Sequence, residues 1–181
     1  MKAWTDLYKE IAQIINTKLQ QIRWVDLWHE QVSYLTEELP FPTPSVFIGF
    51  QTNQCDDKGQ LIQDCDLQVD FYLFYESFSD TYSGAYNQES AIEFLRLLTQ
   101  LHTAFHGLSG DNFNTMRRVD VRREESGDAG NLYRISFVCI VEDASAQAEF
   151  NQQPVNEVDL SKGPISRPDS TDSEPIYDIK L

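Results

Sequence analysis

Apolar positions recur at two different periods along this chain, and the switches between them outline its elements. Trp4, Leu7, Tyr8, Ile11, Ile14, Ile15, Leu19 and Ile22 fall at helical spacing, predicting an amphipathic helix near residues 3–21. The aromatic and β-branched stretch Trp24–Glu30 then reads as a short strand. Pro40, Pro42 and Pro44 fix φ and remove donors, so residues 37–44 form an extended connector. Val46, Ile48 and Phe50 alternate with their neighbours across residues 45–51. Leu67, Val69, Phe71, Leu73 and Tyr75 do the same beyond the turn chemistry of Asp56-Asp57-Lys58-Gly59. These two strands make an antiparallel hairpin.

A polar loop over residues 77–87 leads back to helical spacing, with Ala91, Phe94, Leu95, Leu98, Leu101, Phe105 and Leu108 on one stripe. Residues 116–123 and 132–141 are two more strands, separated by the Gly-containing stretch 125–130. The order is therefore α-β-β-β-α-β-β, an α+β fold. Its mainly antiparallel sheet would carry two helices on one face, with Phe94, Leu98, Leu101 and Phe105 against Val69, Phe71, Ile135 and Phe137.

After about Ala146 apolar residues thin out, and Pro154, Pro164, Pro168 and Pro175 recur among Asn, Gln, Ser and Asp. This divides the chain into a globular domain at 1–146 and an extended tail at 147–181. Such a tail buries too little surface to offset its ordering entropy alone. In its last stretch Tyr177, Ile179 and Leu181 alternate with Ile176, Asp178 and Lys180. A segment of that kind can add as a strand to an exposed sheet edge. Ile176, Tyr177, Ile179 and Leu181 are therefore candidate contacts to a neighbouring subunit or an adjacent ring.

The formal net charge of −15 disfavours a nucleic-acid binder and an anionic membrane surface alike. No apolar run is long enough for a transmembrane helix, and the N-terminal stretch with Asp6 and Glu10 reads as a helix rather than a signal peptide. The expected setting is a cytosol. Cys55, Cys65 and Cys139 are sparse and odd in number, so free thiols are expected. Cys55 and Cys65 nonetheless sit almost symmetrically about Lys58-Gly59, where a hairpin would bring them together.

Candidate chemistry is thin. His102 and His106 are four apart on the second helix, but Thr, Ala and Phe intervene and the only other histidine is His29. Helix packing is the better reading for them. The acidic cluster Asp56, Asp57, Asp64 and Asp66 fails the EF-hand register and reads as a solvated hairpin. No nucleophile elbow, P-loop or dinucleotide fingerprint occurs, so no enzyme, cofactor or metal is expected. Arg117, Arg118, Arg122 and Arg123 form two adjacent pairs on one strand. Each pair splits its charges between the two faces and is expected to meet cross-strand carboxylates or a neighbouring subunit.

The order of elements, with "WVDLWHEQ", "LPFPTPSVFIGF", "LQVDFYLFYE", "MRRVDVRREE" and "LYRISFVCIVED", resembles phage tail-terminator proteins, also called tail-completion or neck proteins. The resemblance covers roughly residues 3–145. It implies a structural virion protein that forms a ring, usually of six copies and alternatively twelve, at the tail–neck junction of a bacteriophage. Its partners would be further copies of itself and other tail, neck or connector proteins. It would reside in the host cytoplasm before assembly and in the virion afterwards, and DNA would pass through the lumen without specific binding. The long tail departs from a minimal member, leaving a tube cap and a short-tail neck ring both open. The alternative reading is a bacterial cytosolic interaction module or inhibitor-like protein acting as monomer or dimer.

Overall fold

The computed structural model describes residues 4–34, 41–76, 81–126 and 130–149. The chain divides into two units, Met1–Glu149 and Phe150–Leu181, and every described residue lies in the first. The candidate contacts Ile176, Tyr177, Ile179 and Leu181 fall outside the described residues.

The fold is α+β, as the periodicities predict. Helix α1 (Trp4–Lys18) precedes strand β1 (Trp24–Leu27) and a 3-10 turn at Gln31–Tyr34. Strands β2 (Ser45–Gly59) and β3 (Ile62–Tyr75) follow, then helices α2 (Gln88–Ala91) and α3 (Glu93–Phe105). Strands β4 (Arg117–Glu124) and β5 (Asn131–Asp143) and a 3-10 turn at Ser145–Glu149 complete the order. The five strands form one sheet in the order β1-β2-β3-β5-β4, antiparallel except for the parallel β1–β2 pair.

Side-chain alternation sends one parity of each central strand toward the helices. Val46 and Ile48, Leu67 to Leu73, and Ile135 to Val141 meet Leu7, Ile11 and Ile15 of α1 and Leu97, Leu101 and Phe105 of α3 in one core. Phe105 lies at the centre, its ring 4.5 Å from Phe71 and 6.1 Å from Phe137. Val32, Phe47, Phe74 and Leu132 make a smaller cluster, supported by Trp28, Phe41 and Tyr72. Phe47, Phe74 and Leu132 have the strand parity opposite to the core residues, so this cluster belongs to the other face of the sheet.

Two details depart from the expected pattern. The second helix breaks at Ile92 into α2 and α3, and its fully buried stripe takes Leu97, while Leu95 is exposed and Leu98 only partly buried. The hairpin is also longer than its apolar residues suggested. Its turn lies at Gln60-Leu61, where both residues adopt positive φ, and Asp56 and Asp57 are strand residues.

Helix α1 is tied to the end of α3 and to the α3–β4 connection. The Lys18 ammonium donates to the Ala104 carbonyl in the last turn of α3, at 3.2 Å. Farther along, the Glu10 carboxylate accepts from the Asp111 and Asn112 backbone N–H groups and the Asn112 side-chain amide. These bonds fix the connection that leads the chain into β4.

Candidate interface

Strand β4 pairs with β5 on one side, and no other described strand pairs with its outer side. It is exposed along nearly its whole length, including Val119 and Val121 at 49% and 41%. Four of the chain's 14 basic residues stand on it. An exposed edge with unpaired backbone groups is a template for another strand.

The four arginines do not act alike. Arg122 is held by Glu124 at 2.9 Å and Asp120 at 3.8 Å, both on its own strand. The register sets it directly opposite Arg134 of β5. The expected cross-strand carboxylate is therefore absent at this position, and the repulsion is relieved by sharing. The Arg134 guanidinium lies 3.1 Å from Glu124 and 3.8 Å from both Asp120 and Asp70. The 3.1 Å approach of its Nε to Glu124 is a close ion pair, although the N–H is poorly aligned for a hydrogen bond. Among the described residues, Arg117, Arg118 and Arg123 have no carboxylate within ion-pair distance.

Asp70 and Ser136 anchor this network where β3 meets β5. The two residues are directly opposite each other, and the Ser136 hydroxyl donates to the buried Asp70 carboxylate at 2.5 Å. The Gln68 amide donates to both Asp70 oxygens at 3.1 Å. Beside them Tyr72 stacks on Trp28 at 4.0 Å between ring centroids. Burial, reinforced by Asp70 and Glu124, pushes the Tyr72 hydroxyl up to about 12. Sequence reasoning missed this network. The available signal was a charged residue at the non-core parity of each of two central strands, Asp70 and Arg134.

The opposite side of the sheet is acidic. Strand β1 covers β2 only from Ser45 to Ile48, leaving Gly49–Gly59 without a described strand on its outer side. Residues 51–59 are exposed throughout. Lys58 bridges the tips of three strands, bonding Glu142 at 2.8 Å and Asp64 at 3.3 Å. Those bonds raise the Lys58 pKa and lower that of Glu142. Asp56 and Asp57 accept only from Gln54 and Gln63 among the described residues.

The same arm corrects the expectation of free thiols. The register pairs Cys55 with Cys65 at a Cα separation of 4.0 Å, and the two form a disulfide. Cys139 is the free cysteine; it is buried, and desolvation pushes its thiol up to about 12.

His102 and His106 lie with ring centroids 4.7 Å apart near the start of β4. The Arg118 backbone N–H donates to His106 Nδ1 at 3.2 Å. Desolvation, followed by Arg118 and His106, lowers the His102 pKa. Among the described residues no group of three His, Cys, Asp or Glu side chains is arranged to hold a metal, and no helix is long and apolar enough to cross a membrane.

No protein-family model matches the chain, and no curated protein sequence matches it.

Proposed function

We propose that this chain is a structural virion protein, a tail-terminator-like subunit that assembles into a ring at the tail–neck junction of a bacteriophage. The observation that carries this reading is the pair of sheet edges that no described strand covers, β4 on one side and the outer half of β2 on the other. A subunit with two different open edges can bind a copy of itself at each, and such head-to-tail contacts close into rings when the rotation permits. The element order shared with the family supports the same reading. So does the net charge of −15, which would let DNA slide through a lumen without adhering.

Further copies of the chain, in a ring of six or twelve, and the adjoining tail, neck or connector proteins are the proposed partners. The alternating end with Ile176, Tyr177, Ile179 and Leu181 is proposed to clasp a neighbouring subunit or adjacent ring by strand addition.

Native mass measurement of the purified protein, followed by imaging of labelled protein in purified particles, tests the reading. A closed ring of defined copy number, located between head and tail, is the expected result. A stable monomer at every concentration, absent from particles, would instead favour a bacterial interaction module.

A further inference from the structure

We infer that successive subunits join by antiparallel pairing of β4 of one copy with the acidic outer half of β2 of the next. This rests on the ring reading above and specifies its contact.

Three independent features of the sheet converge on it. The first is direction. Across β2, β3, β5 and β4 every neighbour is antiparallel, so β2 and β4 run opposite ways. A second copy placed beside β4 in the same orientation therefore presents its β2 antiparallel to it, and the alternation continues unbroken from subunit to subunit.

The second feature is charge. In a chain of net charge −15, β4 carries four arginines, and three of them lack ion-pair partners among the described residues. The β2 segment offers Asp56 and Asp57, which meet no cation among those residues. The side-chain parities also agree. Arg118 pairs with Phe137 and Asp57 lies next to Cys55 in the alternation, so that both belong to the helix side of the sheet. Arg117 and Asp56 belong to the other side. Setting Arg117 opposite Asp56 puts Arg118 opposite Cys55 and within diagonal reach of Asp57, so each acid meets an arginine on its own face.

The third feature is closure. Arg117 stands opposite Val138 on β5, whereas Asp56, through Asp64, is level with Glu142, four residues farther along that strand. Each subunit step therefore crosses four strands and slides four residues. At about 3.3 Å per residue and about 4.8 Å between strands, this tilts the strands about 35° from the ring axis. That is the lower end of the roughly 35–45° usual in closed β-barrels. The diagonal placement of the two edges supplies the stagger that a closed sheet needs.

Charge-reversed variants test the contact. Arg117→Glu/Arg118→Glu disables one edge, and Asp56→Arg/Asp57→Arg disables the other. All four positions are exposed, and unchanged melting curves check that each variant folds. Each variant alone should run at the single-chain mass of 20.9 kDa. Mixed in equal amounts, they should regain ring mass, because every contact in an alternating ring then joins opposite charges. Raising the salt should weaken the wild-type ring. If Asp56→Arg/Asp57→Arg assembles as the wild type does, β2 is not the partner of β4; this inference falls while the ring reading stands. If the mixture stays monomeric although both variants fold, the charge pairing is equally refuted. A wild-type protein that never assembles removes the ring reading itself and this contact with it.

Discussion

Asp70 is buried in the sheet because its oxygens are occupied: Ser136 and Gln68 donate to it, and Arg134 lies 3.8 Å away. Hydrogen bonds to a charged group are worth more than neutral ones, and an unmatched buried carboxylate is costly. Ser136→Ala should therefore destabilise the domain by about 1.5–3 kcal/mol, read from urea unfolding midpoints. A loss within experimental error would mean that water replaces the hydroxyl and that the network is not dry. His102 provides the pH-sensitive counterpart. Its folded pKa is below the ordinary 6.5, so the unfolded chain binds this proton more readily. Its contribution is complete above the unfolded value and is lost as pH falls from there through the lower folded value. His102→Gln should flatten the decline in melting temperature between pH 7 and pH 5. An unaltered slope in that variant would place the acid sensitivity elsewhere.

Elements with strong apolar periodicity were legible at once, because core packing and sequence pattern coincide there. Phe105 is such a case, wedged between Phe71 and Phe137, and Phe105→Ala should cost about 3–5 kcal/mol. An unchanged melting curve would show that α3 does not seat there. Legibility failed where polar residues form regular structure. Thr52 to Gly59 lies beyond the apolar alternation and ends in what reads as turn chemistry, yet it is strand, because backbone pairing with β3 needs no buried side chains on β2. The helix stripe slipped from Leu98 to Leu97 because both are leucines and the break at Ile92 resets the phase. The edge network stayed hidden because ion pairing across β4 and β5 depends on register, and periodicity does not encode register. The Cys55–Cys65 juxtaposition is legible in the sequence, but the disulfide is not, because the expected cytosolic setting argues for reduced thiols. Thiol titration should accordingly detect no reactive group in the native protein and one, Cys139, after unfolding without reductant. Three thiols on unfolding would remove the disulfide.

At the scale of the whole molecule, the compact unit ends at Glu149, and the Pro-punctuated chain beyond it has a composition unsuited to building a core. Helices α1 and α3, both core clusters and the network around Asp70 all involve residues before that point. Removing residues 150–181 should therefore leave the unfolding midpoint of the domain unchanged. Its effect on assembly is expected to be separate. With β4 and β2 engaged between neighbours, no described strand lies on the outer side of β1, and this is the edge that the alternating Ile176–Leu181 segment of a neighbouring subunit is proposed to join. The truncated chain should then still form the ring at high concentration, since the charged edges remain. It should dissociate more readily on dilution or attach less firmly to particles, because each clasp lost removes a second, tethered contact whose effective concentration is high. Dilution series by native mass measurement, run on full-length and truncated protein together, separate the outcomes. Equal dissociation and equal particle attachment would eliminate the clasp while leaving the ring intact. A truncated chain that fails to fold would assign residues 150–181 to the domain's own core.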